Sequence, residues 1–238
     1  MRNVFIILTA LFTLCSLPSF ALASSTIAAG LNHSIALRPD GSLWTWGIND
    51  VGQIGDGTNN NSLSPKQVGS GYRSVCTVAY SNTAAIKTDG SLWVWGNNPY
   101  GQLGDGTTTN GLVPKQIGAG YTAISSGGAH TIALRSDGTL WSWGRNQYGQ
   151  LGDGTTTDSL VPKQIGAGYT TIATGAFHGI ALKSNGSLWA WGNNWFGQLG
   201  DGTTTNSSVP KQIGTGFTAI AGGYAHTIAL KSDSSVWA

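Results

Sequence analysis

The side chains here that could ligate a metal or perform acid–base or nucleophilic chemistry are four histidines, ten acidic residues and two cysteines. The histidines fall at His33, His130, His178 and His226, and Asn82 takes the place one would expect between the first two. Histidine holds metals and moves protons. Each of these residues occupies an equivalent place in a separate stretch of chain, so they do not converge on one ion. A hydrogen bond at a strand end is the expected role. All ten acidic residues are aspartates. Asp56, Asp105, Asp153 and Asp201 each open an Asp-Gly-Thr run with a single carboxylate. A helix-loop-helix calcium loop needs several carboxylates and a closing Glu. Side chains that hold glycine turns together are therefore expected, with calcium as the alternative. No paired carboxylates suited to acid–base catalysis occur. Cys76 sits among Val75 and Val78 with Asn82 where a histidine would help it, and reads as a packed apolar residue. Gly101 to Gly106 lies between β-prone segments, which is the wrong context for a phosphate cradle. No catalytic, metal or cofactor site is expected.

The elements that carry these residues come from the stretch Ser136 to Gly144, SDGTLWSWG. Asp137-Gly138 suits a two-residue type I′ hairpin. Counting outward pairs Ser136 with Thr139, Leu134 with Trp141 and Ile132 with Trp143, and sets His130 against Arg145. Alternation then predicts an apolar face of Leu134, Trp141, Ile132 and Trp143 and a small-residue face of Ala133 and Ser142. The leading tryptophan returns at Trp44, Trp93, Trp141, Trp189 and Trp237, with steps of 49, 48, 48 and 48 residues. Pro65, Pro114, Pro162 and Pro210 keep that step. Several short strands repeated near this length indicate propeller blades. Units are expected at 26–74, 75–122, 123–170 and 171–218, with a partial unit at 219–238. Each runs from a β-prone segment such as Tyr121–Ile124, through Gly127-Gly128 and the hairpin, to a short strand headed by proline. No sustained 3.6-residue period predicts a helix past the leader.

Arg2, the apolar run from Val4 to Leu17 and Ala21-Leu22-Ala23 read as a cleavable secretory signal, residues 1–23. Leu14 argues against lipidation at Cys15, and no later segment is long enough to span a membrane. The protein is expected to be secreted, periplasmic or at the cell surface. Only Cys76 then remains, so no internal disulfide is expected. Charged residues make up 9% of the chain and the net charge is +2. Such a surface excludes nucleic acid as an expected partner. Thirty-six glycines and ten tryptophans fit short strands and tight turns.

The units HTIALRSDGTLWSWGRNQYGQLGDGTTT and VPKQIGAG resemble the regulator of chromosome condensation repeat family over Thr26 to Ala238. The resemblance implies a β-propeller of four-stranded blades, commonly seven, acting as a binding platform. Its members range from an exchange factor for a small GTPase to secreted bacterial β-lactamase inhibitors. Seven blades would need roughly 340 residues at this spacing. A truncated or fragmentary propeller is the expectation, and its open edges invite self-association.

The loop after each Trp-Gly changes freely in its first and third residues, as at Arg145, Asp50 and Trp195, and its fourth position carries Tyr100, Tyr148 and Phe196. Its second residue is always asparagine, which suggests turn chemistry. Residues before each histidine vary as well and include Tyr80, Phe177 and Tyr224. The hairpin register sets these two groups on one rim, and aromatic residues among polar ones are enriched at protein interfaces. The nine residues just named are the candidate binding set, with a protein as the expected partner and an extracellular glycan as the alternative. Exchange-factor activity follows only from the resemblance.

Overall fold

The computed structural model describes residues 26–77 and 81–238. The expected leader and Tyr80 lie outside the described residues. Among the described residues, nineteen strands form five antiparallel sheets. The first holds β1 (Thr26–Ala29), β2 (His33–Leu37), β3 (Leu43–Gly47) and β4 (Ser62–Gly69). The second holds β5 (Tyr72–Thr77), β6 (Asn82–Lys87), β7 (Leu92–Gly96) and β8 (Gly111–Gly118). The third holds β9 (Tyr121–Ser126), β10 (His130–Arg135), β11 (Leu140–Gly144) and β12 (Ser159–Gly166). The fourth holds β13 (Tyr169–Thr174), β14 (His178–Lys183), β15 (Leu188–Gly192) and β16 (Ser207–Gly214). The fifth has three strands, β17 (Phe217–Gly222), β18 (Thr227–Lys231) and β19 (Val236–Trp237). Strand order follows chain order in every sheet, and no helix occurs among the described residues. The sheets are consecutive blades of an open β-propeller whose first strands pack on one another toward a common axis. From the second blade on, each sheet begins two or three residues before the unit boundary read from the sequence.

The hairpin differs from its expected register. Gly138 N–H donates to Arg135 O, and Arg135 N–H reaches Thr139 O, so the loop has three residues. A type I′ turn needs positive φ at both central residues, but among Ser136, Asp137 and Gly138 only Gly138 has it, at +74°. Asp137 Oδ1 accepts the Thr139 N–H and hydroxyl and closes the loop instead. The pairs become Leu134 with Leu140, Ala133 with Trp141, Thr131 with Trp143 and His130 with Gly144 rather than Arg145. A shift of one residue moves every side chain to the other face. Ile132, Leu134 and Leu140 therefore lie behind the tryptophans, not beside them.

That corrected register explains how blades stack. Where the first blade meets the second and the third meets the fourth, one face offers two leucines and an isoleucine, and the next blade sets an alanine and two tryptophans against them. Ile132, Leu134 and Leu140 of the third blade meet Ala181, Trp189 and Trp191 of the fourth. Burying each large apolar side chain stabilises by roughly 1.5–3 kcal/mol. The second tryptophan is the keystone: Trp95, Trp143 and Trp191 are fully buried, and each indole N–H donates to a carbonyl of the preceding blade, Gln53, Gln102 or Gln150.

The Gly-rich loops make room for those indoles. Gly104 has φ +72°, and a Cβ there would lie 2.6 Å from Trp143 Nε1. Gly202 has φ +76° with open space around it. We expect Gly104→Ala to cost about 2–4 kcal/mol and Gly202→Ala about 1 kcal/mol, since only the first combines left-handed strain with a displaced indole. Urea unfolding of the two variants checks this; equal losses would contradict the seating role of Gly104.

Each outer strand carries its proline in the middle rather than at its head, as at Pro162 in β12. Pairing with β11 is irregular there, and the strand is a sheet edge, where a missing donor costs nothing. A feature absent from the sequence reading lies at the hairpin end. Arg38, Lys87, Arg135, Lys183 and Lys231 each lie over the leading tryptophan of their blade, as Arg135 does at 4.1 Å over Trp141. The recurrence of a cation just before every turn was the available signal.

Candidate functional site

The rim opposite the hairpin tips is built by two loops per blade. Arg145 N–H donates to Ala129 O at 2.9 Å and Asn193 N–H to Phe177 O at 2.8 Å, so the loop after Trp-Gly is fastened to the residues before the histidine. Neighbouring blades are joined along the same rim by Gly128 N–H to Ala176 O and Ala176 N–H to Tyr224 O.

Beneath the rim, the invariant asparagine ties each loop into a knot. Asn146 is fully buried. Its Nδ2 donates to Asp153 Oδ1 and to the carbonyls of Thr155 and Thr157, and its Oδ1 accepts Leu151 N–H at 2.9 Å. Asn49, Asn98 and Asn194 do the same work. The Asp-Gly-Thr carboxylates serve these knots and the following outer strand. Asp105, Asp153 and Asp201 each accept a lysine at 2.7–2.8 Å through Oδ2, and bond the threonine two residues on through Oδ1. Burial pushes the Asp56 carboxyl up, but the bonds from Lys66 and Thr58 outweigh it and hold its pKa down to about 2. The position a cation would need on each carboxylate already carries an ammonium. No group of three histidine, cysteine or aspartate side chains sits together among the described residues.

Three of the four histidines also turn inward, and His226 is exposed. His33 and His178 are buried and reach the next blade through Nε2, to Thr83 and Thr227 at 3.1 Å. His130 has no such partner, because the fourth blade carries Gly179 where the second, third and fifth have threonine, and both its ring nitrogens are buried without a hydrogen bond. A Cβ at Gly179 would strike the Trp191 ring, which occupies the space of the missing side chain. Burial holds His33 and His178 down to about 4 and His130 to about 3, with the neighbouring His178 adding to the last. Neutral, sequestered imidazoles at these positions are packing groups. Cys76 is buried too.

Of the nine residues proposed from sequence, four form one contiguous aromatic strip. Trp195 meets Tyr148 at 4.9 Å between ring centroids, Tyr148 meets Phe177 at 5.5 Å, and Phe177 meets Tyr224 at 5.9 Å. All three contacts are edge-to-face, the geometry aromatic quadrupoles favour. Trp195 and Tyr224 are each 57% exposed at the two ends, with Tyr148 and Phe177 half-buried between them. Phe196, 76% exposed, stands beside Trp195. Arg145 lies over Tyr100 at 4.6 Å and is steadied by Gln147 Oε1 at 2.6 Å. Asp50 is apart from the strip, in the first blade, and accepts Gln53 Nε2. Asn193 was not in the sequence set, yet its Oδ1 accepts Trp195 N–H and Gln198 Nε2 and so orients the Trp195 loop.

This architecture defines a class of protein, a blade-repeat propeller that presents its varied residues on one rim. The chain belongs to the RCC1-like domain family, whose profile matches residues 20–238. Human WBSCR16 superposes with a TM-score of 0.77 at 29% identity, covering 87% of this chain and 57% of that one. Yeast Prp20p, from Saccharomyces cerevisiae, gives 0.77 at 20% identity, with coverages of 92% and 59%. Among curated proteins, human E3 ubiquitin-protein ligase HERC2 is 48% identical over 42 residues, 18% of this chain and 1% of its own length. Arabidopsis thaliana ultraviolet-B receptor UVR8 is 48% identical over 44 residues, 18% of this chain and 10% of its length. The chain thus spans under two thirds of these solved structures and a small share of these curated relatives.

Proposed function

We propose that the protein is an exported, non-catalytic propeller that binds another protein through the rim strip of Trp195, Tyr148, Phe177 and Tyr224. The strip itself carries this reading. It places four aromatic rings in contact on one rim, and interface hot spots are enriched in tryptophan and tyrosine. The strip is pre-packed and held on hydrogen-bonded loops, so little side-chain freedom is lost on binding. Export rests on the leader read at residues 1–23, and the absence of catalysis on the single, turn-bound carboxylates. Yeast Prp20p has binding properties toward Gsp1p and histones, a precedent for protein recognition by the fold.

Replacing Trp195 and Tyr224 together by Ala is expected to weaken capture of the partner about thirty-fold or more while leaving thermal unfolding unchanged, since both side chains are surface ends of the strip. Unchanged capture would remove the rim from consideration. A glycan array run beside the protein pull-down separates the sugar reading: binding there, abolished by the same pair of substitutions, would replace a protein by a glycan as the ligand. Accelerated nucleotide release from a small GTPase would instead favour exchange-factor activity.

A further inference from the structure

The first position of the loop after Trp-Gly is Ile48, Asn97, Arg145 and Asn193 in successive blades, so the blade itself does not demand arginine there. In the fourth blade Asn193 Oδ1 accepts Gln198 Nε2 at 2.6 Å. Arginine has no acceptor to offer, and Gln150 Nε2, the equivalent donor of the third blade, is buried without a partner. An unpaired buried donor is a loss of stability. The charge is isolated as well. Arg145 is the only charged residue in the rim loops of the second to fourth blades, residues 97–100, 127–129, 145–148, 175–177 and 193–196. The ion pairs among the described residues all join lysine to the Asp-Gly-Thr carboxylates, and none involves Arg145. Asp158, which approaches the same loop, accepts the Asn146 N–H through Oδ1 at 2.7 Å.

The guanidinium is nevertheless held in one place. It lies 4.6 Å from the centre of the Tyr100 ring, and Nη2 donates to Gln147 Oε1 at 2.6 Å on the exposed side of the loop. Stacking on the ring fixes the plane of its five-donor fork, and no second hydrogen bond from that fork is found among the described residues. Three residues on, Tyr148 meets Trp195 at 4.9 Å with the rings 70° apart. Trp195 occupies the third loop position, which is equally exposed at Pro99 and Gln147 in blades with a neighbour on either side. Its exposure is therefore a property of the loop. The second to fourth blades thus set one fixed cation beside a corner of aromatic rings.

We propose that the patch of Tyr100, Arg145, Tyr148 and Trp195 recognises a peptide segment in which an aspartate or glutamate adjoins an aromatic or large aliphatic side chain. This rests on the rim being the binding surface. A carboxylate meets a guanidinium fork through two parallel hydrogen bonds and matches its single charge. A phosphate carries roughly two charges and is met by clusters of arginine, which this rim lacks. Rings set at 70° form a corner for an inserted side chain, whereas a sugar ring stacks on an open flat face, so the geometry favours a peptide over an acidic glycan. The apolar neighbour on the peptide fills the corner and keeps water from the ion pair, which strengthens it.

The probe is a phage library of random peptides selected on the immobilised full chain, with the enriched peptides then synthesised and titrated by fluorescence anisotropy. They are expected to share an acidic residue beside Trp, Phe, Tyr or Leu, and to bind more weakly as salt rises. Arg145→Glu should weaken them about ten-fold or more. A peptide whose acidic residue is replaced by lysine should regain affinity for that variant and not for the wild type. Arg145→Asn, which copies Asn193, repeats the loss should Arg145→Glu fold poorly by its melting curve. Enriched peptides without an acidic residue, or peptides unmoved by both Arg145 variants, would overturn the proposal. The rim reading survives that result if Trp195→Ala still weakens them, and fails with it if Trp195→Ala does not. A library that enriches nothing would also overturn the proposal, and an acidic glycan bound through Arg145 on an array would put a sugar in place of the peptide.

Discussion

Acidification from pH 7 to pH 5 is expected to lower the stability of this fold by several kcal/mol. His33, His130 and His178 are buried and neutral, with folded pKa values near 4, 3 and 4 against an ordinary value of about 6.5. The unfolded chain therefore takes up protons first as the pH drops. Stability from these groups is complete above about pH 6.5 and is lost progressively as pH falls toward their folded values. At pH 5 the loss is roughly 2 kcal/mol per histidine, or on the order of 6 kcal/mol for three, against total stabilities of about 5–15 kcal/mol for ordinary domains. The Asp56 carboxyl, held near 2, does not titrate in this window. Urea unfolding midpoints at pH 7, 6 and 5 measure the effect. His178→Asn, which copies the residue the second blade already uses at Asn82, should flatten the dependence by about a third. A midpoint unchanged between pH 7 and 5 would show that these imidazoles are not sequestered as the structure places them.

Asn146→Ala should be among the most damaging single substitutions. It strands the buried Leu151 N–H and removes three donated bonds that shape the Gly-rich loop. Leaving buried polar groups unsatisfied costs about 1–3 kcal/mol each, so a total of roughly 3–5 kcal/mol is expected. That corresponds to about 10 °C or more in Tm for a chain of this size. The loop also seats Trp191 through Gly152, so the junction between the third and fourth blades loosens with it. Asn194→Ala breaks an equivalent knot, but Gly200 and Gly202 in that loop meet almost nothing beyond their own blade. It should cost less, and differential scanning calorimetry of the pair tests the contrast. Equal shifts would mean that the knot acts only within its own loop.

The repeat made much of the fold legible. Tryptophans, prolines and Asp-Gly pairs returning at a fixed step gave the blade, its strand order and the family without any structure. The face assignment was misread because Asp137-Gly138 was counted as a complete two-residue turn. The side chain of Asp137 closes a three-residue loop instead, and one residue of register exchanges the two faces. The rim remained readable because its logic rests on loop proximity, which the shift does not alter: Arg145 still bonds Ala129. Which aromatics meet was not readable. Tyr148, Phe177 and Tyr224 come from three blades, and their contact depends on the angle between sheets, about which a linear sequence is silent. Asp50 looked equivalent to Trp195 by alignment of repeats but stands in the first blade, away from the strip.

The glycine-rich loops have one more consequence. Gly57, Gly106 and Gly154 each donate a backbone bond to the outer strand of the blade that follows, at Leu112, Leu160 and Ser208. The same loops shelter the tryptophan of that following blade. Each contact is mutual: the following blade covers the loop, and the loop accepts that blade's indole N–H. As the chain is synthesised, a blade whose own strands have all emerged still lacks its lid. It gains that lid only when the next repeat, some 48 residues later, has been delivered. Maturation of this protein trails its synthesis by one blade.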